Sequence, residues 1–160
     1  MDFRVGFGYD SHRFAPGRPL VIGGIVIPYE LGLAAHSDGD VLIHAVCDAL
    51  LGAAGLKDIG TWFPDNDDTW KGADSTVLLT KVMELLAERG WQVNNLDCTL
   101  VLEKPKMKPY IDKIIEKLSS ILQTSQDQIA VKAKTNEKMG FTGAGEGIAA
   151  VAAVTLRKIC

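Results

Sequence analysis

The N-terminal part of the chain alternates apolar and polar positions with the period of a β-strand. Aromatic and branched residues alternate with small or polar ones from Phe3 to Tyr9, which predicts a strand. The apolar runs 20–22 and 25–27 flank Gly23-Gly24, and two such runs separated by two glycines predict a β-hairpin. We therefore expect a strand followed by a hairpin at the start of the fold.

Three later segments repeat apolar residues every three to four positions, as amphipathic helices do. The predicted helices span residues 40–54, 75–89 and 111–122, and Gly90 ends the second of them. Residues suited to capping precede the first two helices, namely Asp38 or Gly39 and then Asp74 or Ser75.

Strands are predicted over residues 93–103, 129–135 and 148–159, and residues 136–147 read as a glycine-rich loop. This order of elements predicts an α/β (α+β) fold with a mixed four-stranded sheet, helices on one face and an N-terminal hairpin. A chain of 160 residues suits a single domain, 1–160.

Composition narrows the classes of function. A formal net charge of −3 argues against a nucleic-acid binder, so a phosphorylated ligand would have to be held by a metal, a few cations or backbone amides. The three cysteines, Cys47, Cys98 and Cys160, are odd in number, widely spaced and without a C-x-x-C motif, which argues against a disulfide framework or a thiolate zinc site. We expect buried or incidental thiols. We find neither a secretory leader nor an apolar run of membrane-spanning length, and expect a cytoplasmic protein.

The tripeptide Asp10-Ser11-His12 ends the first predicted strand. In an extended chain residues i and i+2 point to the same side, so Asp10 and His12 can approach one point while Ser11 faces away. An oxygen and an imidazole nitrogen suit zinc or a similar divalent cation, although a capped strand end with a surface histidine has the same pattern.

His44 lies one turn inside the first predicted helix. Asp40, His44 and Asp48 share one helical face, which is typical of a metal ligand with supporting carboxylates and also of a structural His–Asp pair. Asp10, His12 and His44 together would leave one tetrahedral position of a zinc ion open, as catalytic zinc sites do.

Two further segments can handle phosphate. His36-Ser37 precedes a helix N-terminus, where free N–H groups and the helix dipole favour anions, and an ordinary cap is the alternative. Residues 132–138 gather lysines, Thr135 and Glu137, and Glu137 can hold a second cation bridged to phosphates, a solvated strand end being the alternative. The glycine-rich residues 141–147 lack the P-loop pattern.

Several short motifs occur in an order that resembles one enzyme family. They are Gly8-Tyr9-Asp10-Ser11-His12, Ile22-Gly23-Gly24, His36-Ser37-Asp38-Gly39-Asp40, Asp58-Ile59-Gly60, Phe63-Pro64-Asp65, Pro105-Lys106-Met107, Lys132-Ala133 and Phe141-Thr142-Gly143. The family is 2-C-methyl-D-erythritol 2,4-cyclodiphosphate synthase of the non-mevalonate isoprenoid pathway, and the resemblance runs from about Arg4 to the C-terminus.

The resemblance implies a reaction. The 2-phosphate of 4-diphosphocytidyl-2-C-methyl-D-erythritol 2-phosphate attacks the β-phosphorus, CMP leaves, and a cyclic diphosphate forms. Rival interpretations are a metal-dependent phosphohydrolase, in which water attacks, and a nucleotide- or isoprenoid-binding regulatory trimer without turnover.

The resemblance also implies roles for individual residues. Zinc would be held by Asp10, His12 and His44, a second Mg²⁺ or Mn²⁺ would lie near Glu137, and His36 and Thr135 would position phosphates. The methylerythritol would be held by Asp58, Ile59, Gly60, Phe63, Pro64, Asp65, Asn66 and Asp67. The cytidine and phosphate pocket would be formed by Leu102, Lys106, Met107, Lys108, Lys134, Thr135, Asn136 and Glu137. Ser11, Ser37 and Phe141 would complete the substrate contacts.

The family is a homotrimer with active sites between subunits, so the resemblance implies that one chain supplies the zinc and its neighbour the cytidine pocket. Three positions depart from relatives. Ala144 stands where relatives carry an arginine that can face phosphate or an isoprenoid diphosphate on the trimer axis, so the resemblance leaves open whether such feedback occurs here. Lys134 and Asn136 replace threonines of some relatives.

Overall fold

The computed structural model describes residues 2–159, so the interpretation of Cys160 lies outside it. The chain begins with a strand much longer than the predicted one. Strands and helices in chain order are β1 (Phe3–Ala15), β2 (Leu20–Ile22), β3 (Ile25–Ile27), β4 (Gly32–Leu33), α1 (Val41–Ala54), α2 (Ile59–Trp62), α3 (Ser75–Glu88), β5 (Trp91–Val101), α4 (Ile111–Leu122), β6 (Ile129–Lys134), α5 (Gly140–Gly143) and β7 (Gly147–Lys158).

The main sheet is mixed, with strand order β4-β1-β7-β5-β6. Strand β6 runs parallel to β5, while β1 and β5 pair antiparallel with β7, and β4 pairs antiparallel with the end of β1. The predicted class is confirmed, and β4 adds a fifth strand of two residues to the four that were predicted. The hairpin β2–β3 forms a separate two-stranded sheet, as predicted.

The long helices α1, α3 and α4 agree with the three predicted helices. Helix α1 packs on β1 and β7, α3 packs on α1, and α4 packs on β6, so the helices cover one face of the sheet. Alternate residues of β7 are buried under them, from Ile148 to Leu156. The predicted loop 136–147 is wrong in one part, because it contains the single-turn helix α5.

Strand β1 has two different faces. Gly6 and Gly8 are buried towards α1, whereas Phe3, Val5 and Phe7 point to the other side of the sheet. Val5 is 75% exposed and Phe7 is 66% exposed in the single chain. The alternation that predicts the strand therefore places its large apolar side chains on the uncovered face of the sheet instead of in the core.

Gly6 and Gly8 allow α1 to lie unusually close to β1. A Cβ atom added to Gly8 would stand 1.9 Å from the carbonyl oxygen of Ala45, and one added to Gly6 would stand 1.9 Å from that of Ala49. Because any side chain would collide with the helix backbone, only glycine permits this approach. The contact matters for function, since α1 carries His44 and β1 carries Asp10.

A buried carboxylate joins the hairpin to the start of α1. Asp40 caps α1 by accepting a hydrogen bond from Ile43 N–H at 3.0 Å, so the predicted caps Asp38 and Gly39 are wrong. The same carboxylate accepts from Gly23 N–H at 2.9 Å and Gly24 N–H at 2.7 Å. Burial raises the pKa of Asp40 to about 6, and the three N–H donors oppose that rise.

Cys47 and Cys98 are free thiols in the core, as expected for incidental cysteines. Burial raises the pKa of Cys98 to about 12 and that of Cys47 well above its ordinary value. None of the helices in residues 2–159 has the length and apolar character of a membrane span.

Replacing Gly8 by alanine is expected to destabilise the protein and to displace α1 from β1. The new methyl group meets a backbone carbonyl that cannot rotate away, and overpacking of this kind costs about 3 kcal/mol. Thermal or urea unfolding of Gly8→Ala would measure the loss.

Gly52→Ala is the matched control, because Gly52 lies in α1 with nothing near its would-be Cβ. Alanine favours a helix over glycine, so this variant should be more stable by about 0.5–1 kcal/mol. Equal effects of the two substitutions would contradict the close-contact interpretation.

Candidate metal and phosphate site

Asp10, His12 and His44 converge on one point at the edge of a pocket. His12 Nε2 lies 2.8 Å from Asp10 Oδ2, His44 Nδ1 lies 3.0 Å from the same oxygen, and the two ring nitrogens lie 3.0 Å apart. Among residues 2–159 this is the one group of three or more His, Cys, Asp or Glu side chains whose arrangement can hold a metal ion. Two nitrogens and one carboxylate oxygen also form a donor set that zinc and similar cations accept.

Local structure explains why these three side chains meet. Asp10 and His12 are two residues apart in β1 and face the helices, while Ser11 between them is exposed, as the strand period predicts. His44 is in the first turn of α1, which Gly8 allows to lie directly on β1. The donors therefore come from two elements joined by tight backbone packing.

Electrostatics favours ionised Asp10 and protonated His44 in the metal-free chain. Burial alone would raise the pKa of Asp10, but hydrogen bonds and charge interactions with His12 and His44 lower it to about 2. Burial would lower the pKa of His44, but Asp10, followed by Asp40 and Asp38, raises it above the ordinary 6.5. A cation bound through His44 therefore competes with a proton for that ring.

The carboxylates expected to support His44 have other partners. Asp40 binds the hairpin and Ile43, as described above, and Asp48 accepts a hydrogen bond from Ile59 N–H at 2.7 Å. The prediction that Asp40 and Asp48 contact His44 directly is therefore wrong, because both carboxylates accept hydrogen bonds from backbone N–H groups instead. His44 Nε2 lies instead 3.0 Å from the hydroxyls of Ser37 and Ser75.

A pocket of about 370 Å³ opens beside the three donors. Most of its wall consists of residues singled out in the sequence, namely Asp10, His12, His36, Ser37, His44, Ile59, Gly60, Phe63 and Asp65. Asp48 and Trp70 also line it and were not predicted as contacts. The ring of Trp70 packs edge-on against Phe63 with centroids 5.0 Å apart, so it supports an expected contact residue.

Two aspartates of the 58–67 segment cap short helical turns. Asp58 caps α2 by accepting from Thr61, and Asp67 caps a short turn by accepting from Thr69 N–H at 2.9 Å. These hydrogen bonds lower the pKa of both carboxyls. Asp58, Pro64, Asn66 and Asp67 do not line the pocket in this structure.

Arg18 holds the loop that carries His36 and Ser37, a role that the sequence reasoning missed. Its guanidinium donates to the carbonyl oxygens of Ala35 at 2.9 Å and Ser37 at 2.5 Å. The guanidinium also brings a positive charge to a loop expected to contact phosphate. His36 Nε2 is buried without a hydrogen-bond partner among the described residues, and the His36 side chain lines the pocket.

The residues expected to bind cytidine lie elsewhere in the chain. Lys108 and Lys134 line a second groove, together with Thr99, Ile111, Lys132 and Ala133, and it shares no residue with the first pocket. Leu102 and Met107 are buried beside these elements, and Lys106 is exposed. A single chain therefore does not bring the two predicted halves of the site together.

The loop after β6 carries Thr135, Asn136 and Glu137. The Thr135 hydroxyl donates to Glu137 Oε1 at 2.9 Å, and both residues are exposed. Glu103, another residue not singled out, accepts from Asn136 N–H at 3.0 Å. Glu103 thus positions the loop. The sequence around Glu103, which contains three lysines in residues 103–108, did not predict that contact.

Phe141 and Ala144 belong to the short helix α5 region. Phe141 is partly exposed and lines a shallow pocket with Ser11, His12, Arg13 and Glu146. Ala144 ends α5 and is exposed. These residues lie near the end of β1 and do not line the pocket that contains all three metal-type donors.

A family model and several relatives match this chain over nearly its full length. The model of the YgbB family matches residues 3–157. A 2-C-methyl-D-erythritol 2,4-cyclodiphosphate synthase from Bacillus cytotoxicus is 56% identical over 156 residues, which cover 98% of this chain and 99% of the relative.

Solved structures show the same fold. The bifunctional IspDF from Campylobacter jejuni matches with a TM-score of 0.95 and 40% identity, over 99% of this chain and 43% of that one. A 2C-methyl-D-erythritol-2,4-cyclodiphosphate synthase in a CDP-bound form matches with a TM-score of 0.89 and 42% identity, over 96% of this chain and 100% of that one.

Binding of a divalent cation such as zinc is expected to weaken as the pH falls. The pKa of His44 is raised, so below that pKa the cation must displace a proton, whereas Asp10 with a pKa of about 2 stays ionised. Calorimetry between about pH 6 and 8 should show affinity rising with pH and a proton released on binding. His44→Ala, which is expected not to hold the cation, gives the background signal. Affinity independent of pH in the unaltered protein would contradict the interpretation.

Proposed function

The chain belongs to the YgbB family, and its relatives there include 2-C-methyl-D-erythritol 2,4-cyclodiphosphate synthases; on this basis we propose how its residues perform the cyclodiphosphate synthase reaction. The protein is a lyase of isoprenoid-precursor synthesis in the non-mevalonate pathway. The substrate 4-diphosphocytidyl-2-C-methyl-D-erythritol 2-phosphate is converted to the cyclic diphosphate with release of CMP. We further propose that residues 1–160 act as one domain.

The observation that supports the site assignment best is the convergence of Asp10, His12 and His44 beside His36 and Ser37. The three donors lie within 3.0 Å of one another, and the two other side chains line the same pocket. A divalent cation held there supplies positive charge that neutralises and polarises a phosphate. The chain as a whole carries a net charge of −3, so this local charge is what allows a polyanionic substrate to bind.

The protein side chains position the reacting groups. Among residues 2–159, His36 Nε2 has no hydrogen-bond partner, and Ser37 follows it on a loop held by Arg18. Both can donate hydrogen bonds to phosphate oxygens. An oxygen of the 2-phosphate forms the new bond to the β-phosphorus while the bond from that phosphorus to CMP breaks. Since the attacking oxygen is already anionic, positioning and charge stabilisation replace a strong general base.

The other half of the site comes, in our proposal, from a neighbouring copy of the chain in a homotrimer. Two observations support this. The groove lined by Lys108 and Lys134 is separate from the metal-type pocket, and the outer face of β1 exposes Val5 and Phe7. Apolar side chains in a row on an open sheet face are typical of a surface covered in an assembly.

The cytidine end of the substrate would bind in the second groove. The residues that we propose to contact it are Leu102, Lys106, Met107, Lys108, Lys134, Thr135 and Asn136. A relative solved with CDP bound supports a cytidine nucleotide as a ligand. Glu137 would hold a second cation, Mg²⁺ or Mn²⁺, because one carboxylate together with substrate phosphates is a common way to bind Mg²⁺. We propose the cytoplasm as the location, which the free thiols of Cys47 and Cys98 support.

Turnover of the cytidyl substrate followed by phosphorus NMR tests the function. We expect CMP and a cyclic diphosphate in equal amounts, with no oxygen from labelled water in the product. Release of phosphate that carries water-derived oxygen would overturn the cyclase and favour a phosphohydrolase.

In His44→Ala we expect loss of bound zinc and of both products, because one of three donors is removed, while circular dichroism stays unchanged. Full zinc content in that variant would contradict the ligand assignment.

Glu137→Gln is expected to reduce kcat by about 100-fold at limiting Mg²⁺ while zinc content stays unchanged. The amide keeps the size of the side chain but removes the charge that would hold the second cation. Glu146→Gln is the matched control, because Glu146 is an exposed carboxylate whose charged contact is with Arg13 at 3.7 Å. An unchanged rate for Glu137→Gln at limiting Mg²⁺ would count against its role.

A further inference from the structure

We infer that Asp38 and Ser75 are positioning residues that fix the tautomer and direction of His44 and so set how tightly the cation is bound. The inference rests on the proposed function, because it assumes that His44 binds a cation through Nδ1. It adds two residues that contact neither the substrate nor the cation. Both lie behind His44, on the side away from Asp10 and His12.

Ser75 and Asp38 are joined by two hydrogen bonds. The Ser75 hydroxyl donates to Asp38 Oδ1, and the Ser75 backbone N–H donates to Asp38 Oδ2 at 3.0 Å. Asp38 Oδ1 also accepts from Asp40 N–H at 3.0 Å. The carboxylate is thus fixed between the start of α3 and the loop before α1, and the direction of the Ser75 hydroxyl is fixed with it.

The number of hydrogens on Ser75 decides the tautomer of His44. A hydroxyl has a single hydrogen, and that of Ser75 is given to Asp38, so towards His44 Nε2 at 3.0 Å the oxygen can only accept. Nε2 must therefore carry the ring hydrogen. In the neutral ring the lone pair is then on Nδ1, which faces Asp10 Oδ2 at 3.0 Å and His12 Nε2 at 3.0 Å.

Burial makes this constraint strong. Ser75 is fully buried and Ser37 nearly so, so solvent does not compete for His44 Nε2. Ser37 offers a second hydroxyl oxygen at 3.0 Å from the same nitrogen. Without Ser75, the Ser37 hydroxyl should still hold the His44 ring, although less firmly. When a histidine binds a metal through one ring nitrogen, removing the group that holds its other ring nitrogen commonly weakens metal binding by roughly 10–100-fold.

A purely structural role is the competing explanation, since the same bonds join the 36–40 loop to α3. Asp74→Ala separates the two. Asp74 caps the same end of α3 by accepting from Thr76 N–H at 2.8 Å and from the Thr76 hydroxyl at 2.7 Å, and it has no hydrogen bond to His44. This variant should lower stability without changing the environment of His44.

The experiment compares Ser75→Ala, Asp38→Asn and Asp74→Ala with the unaltered protein. Zinc affinity is measured by competition with a chromogenic chelator, and unfolding of the metal-free proteins gives their stability. Nitrogen-15 NMR of the metal-free protein, at alkaline pH where the rings are neutral, reports which nitrogen of His44 carries the hydrogen. Rates are compared at saturating zinc.

We expect the Nε2–H tautomer in the unaltered protein, and zinc affinity about 10-fold weaker in Ser75→Ala and Asp38→Asn. Asp74→Ala should bind zinc within about twofold of the unaltered protein while melting at a lower temperature. The inference is overturned if both test variants bind zinc normally, if all three lose affinity alike, or if the unaltered protein shows the Nδ1–H tautomer. If it binds no zinc at all, the proposed metal site fails, while the NMR result still decides the tautomer.

Discussion

The close approach of α1 to β1 is the constraint on which the site depends. Gly6 and Gly8 present bare backbone to the carbonyl oxygens of Ala49 and Ala45, and no other residue fits there. Since His44 is on the helix and Asp10 and His12 are on the strand, this spacing also sets the distances among the three donors. The positions of the donor atoms thus follow from backbone packing in the core.

Two carboxylates, the buried Asp40 and the partly buried Asp38, extend this order from the helix to the surrounding loops. Asp40 holds the hairpin and the first turn of α1, and Asp38 holds the start of α3. Each satisfies backbone N–H groups that would otherwise be buried without partners. The run His36–Asp40 therefore contains two different kinds of residue: those that face the pocket and those that hold the pocket in shape.

The sequence predicted the elements that have a strong period and the donors that have a fixed spacing. Asp10 and His12 were correctly placed on one side of a strand, and the three long helices were found. It did not reveal that Asp40 and Asp48 turn to backbone donors at Gly23, Gly24 and Ile59, because those contacts join segments distant in the chain. The contacts of Ser75 with Asp38 and His44, and those of Arg18 and Glu103, were missed for the same reason, since each joins segments that only the fold brings near. The roles of the nucleotide-pocket residues stay predictions.

Strand β1 has a consequence for how this protein can change in evolution. Its inner face carries Gly6, Gly8, Asp10 and His12, and its outer face carries the exposed aromatic and branched residues. Because strand faces alternate residue by residue, an insertion or deletion of one residue inside β1 would exchange the two faces beyond that point. Ser11 would then replace a donor and a bulky side chain would meet α1. We therefore expect this segment to change in evolution by substitution, so that the donor residues and the exposed apolar residues of β1 keep their register together.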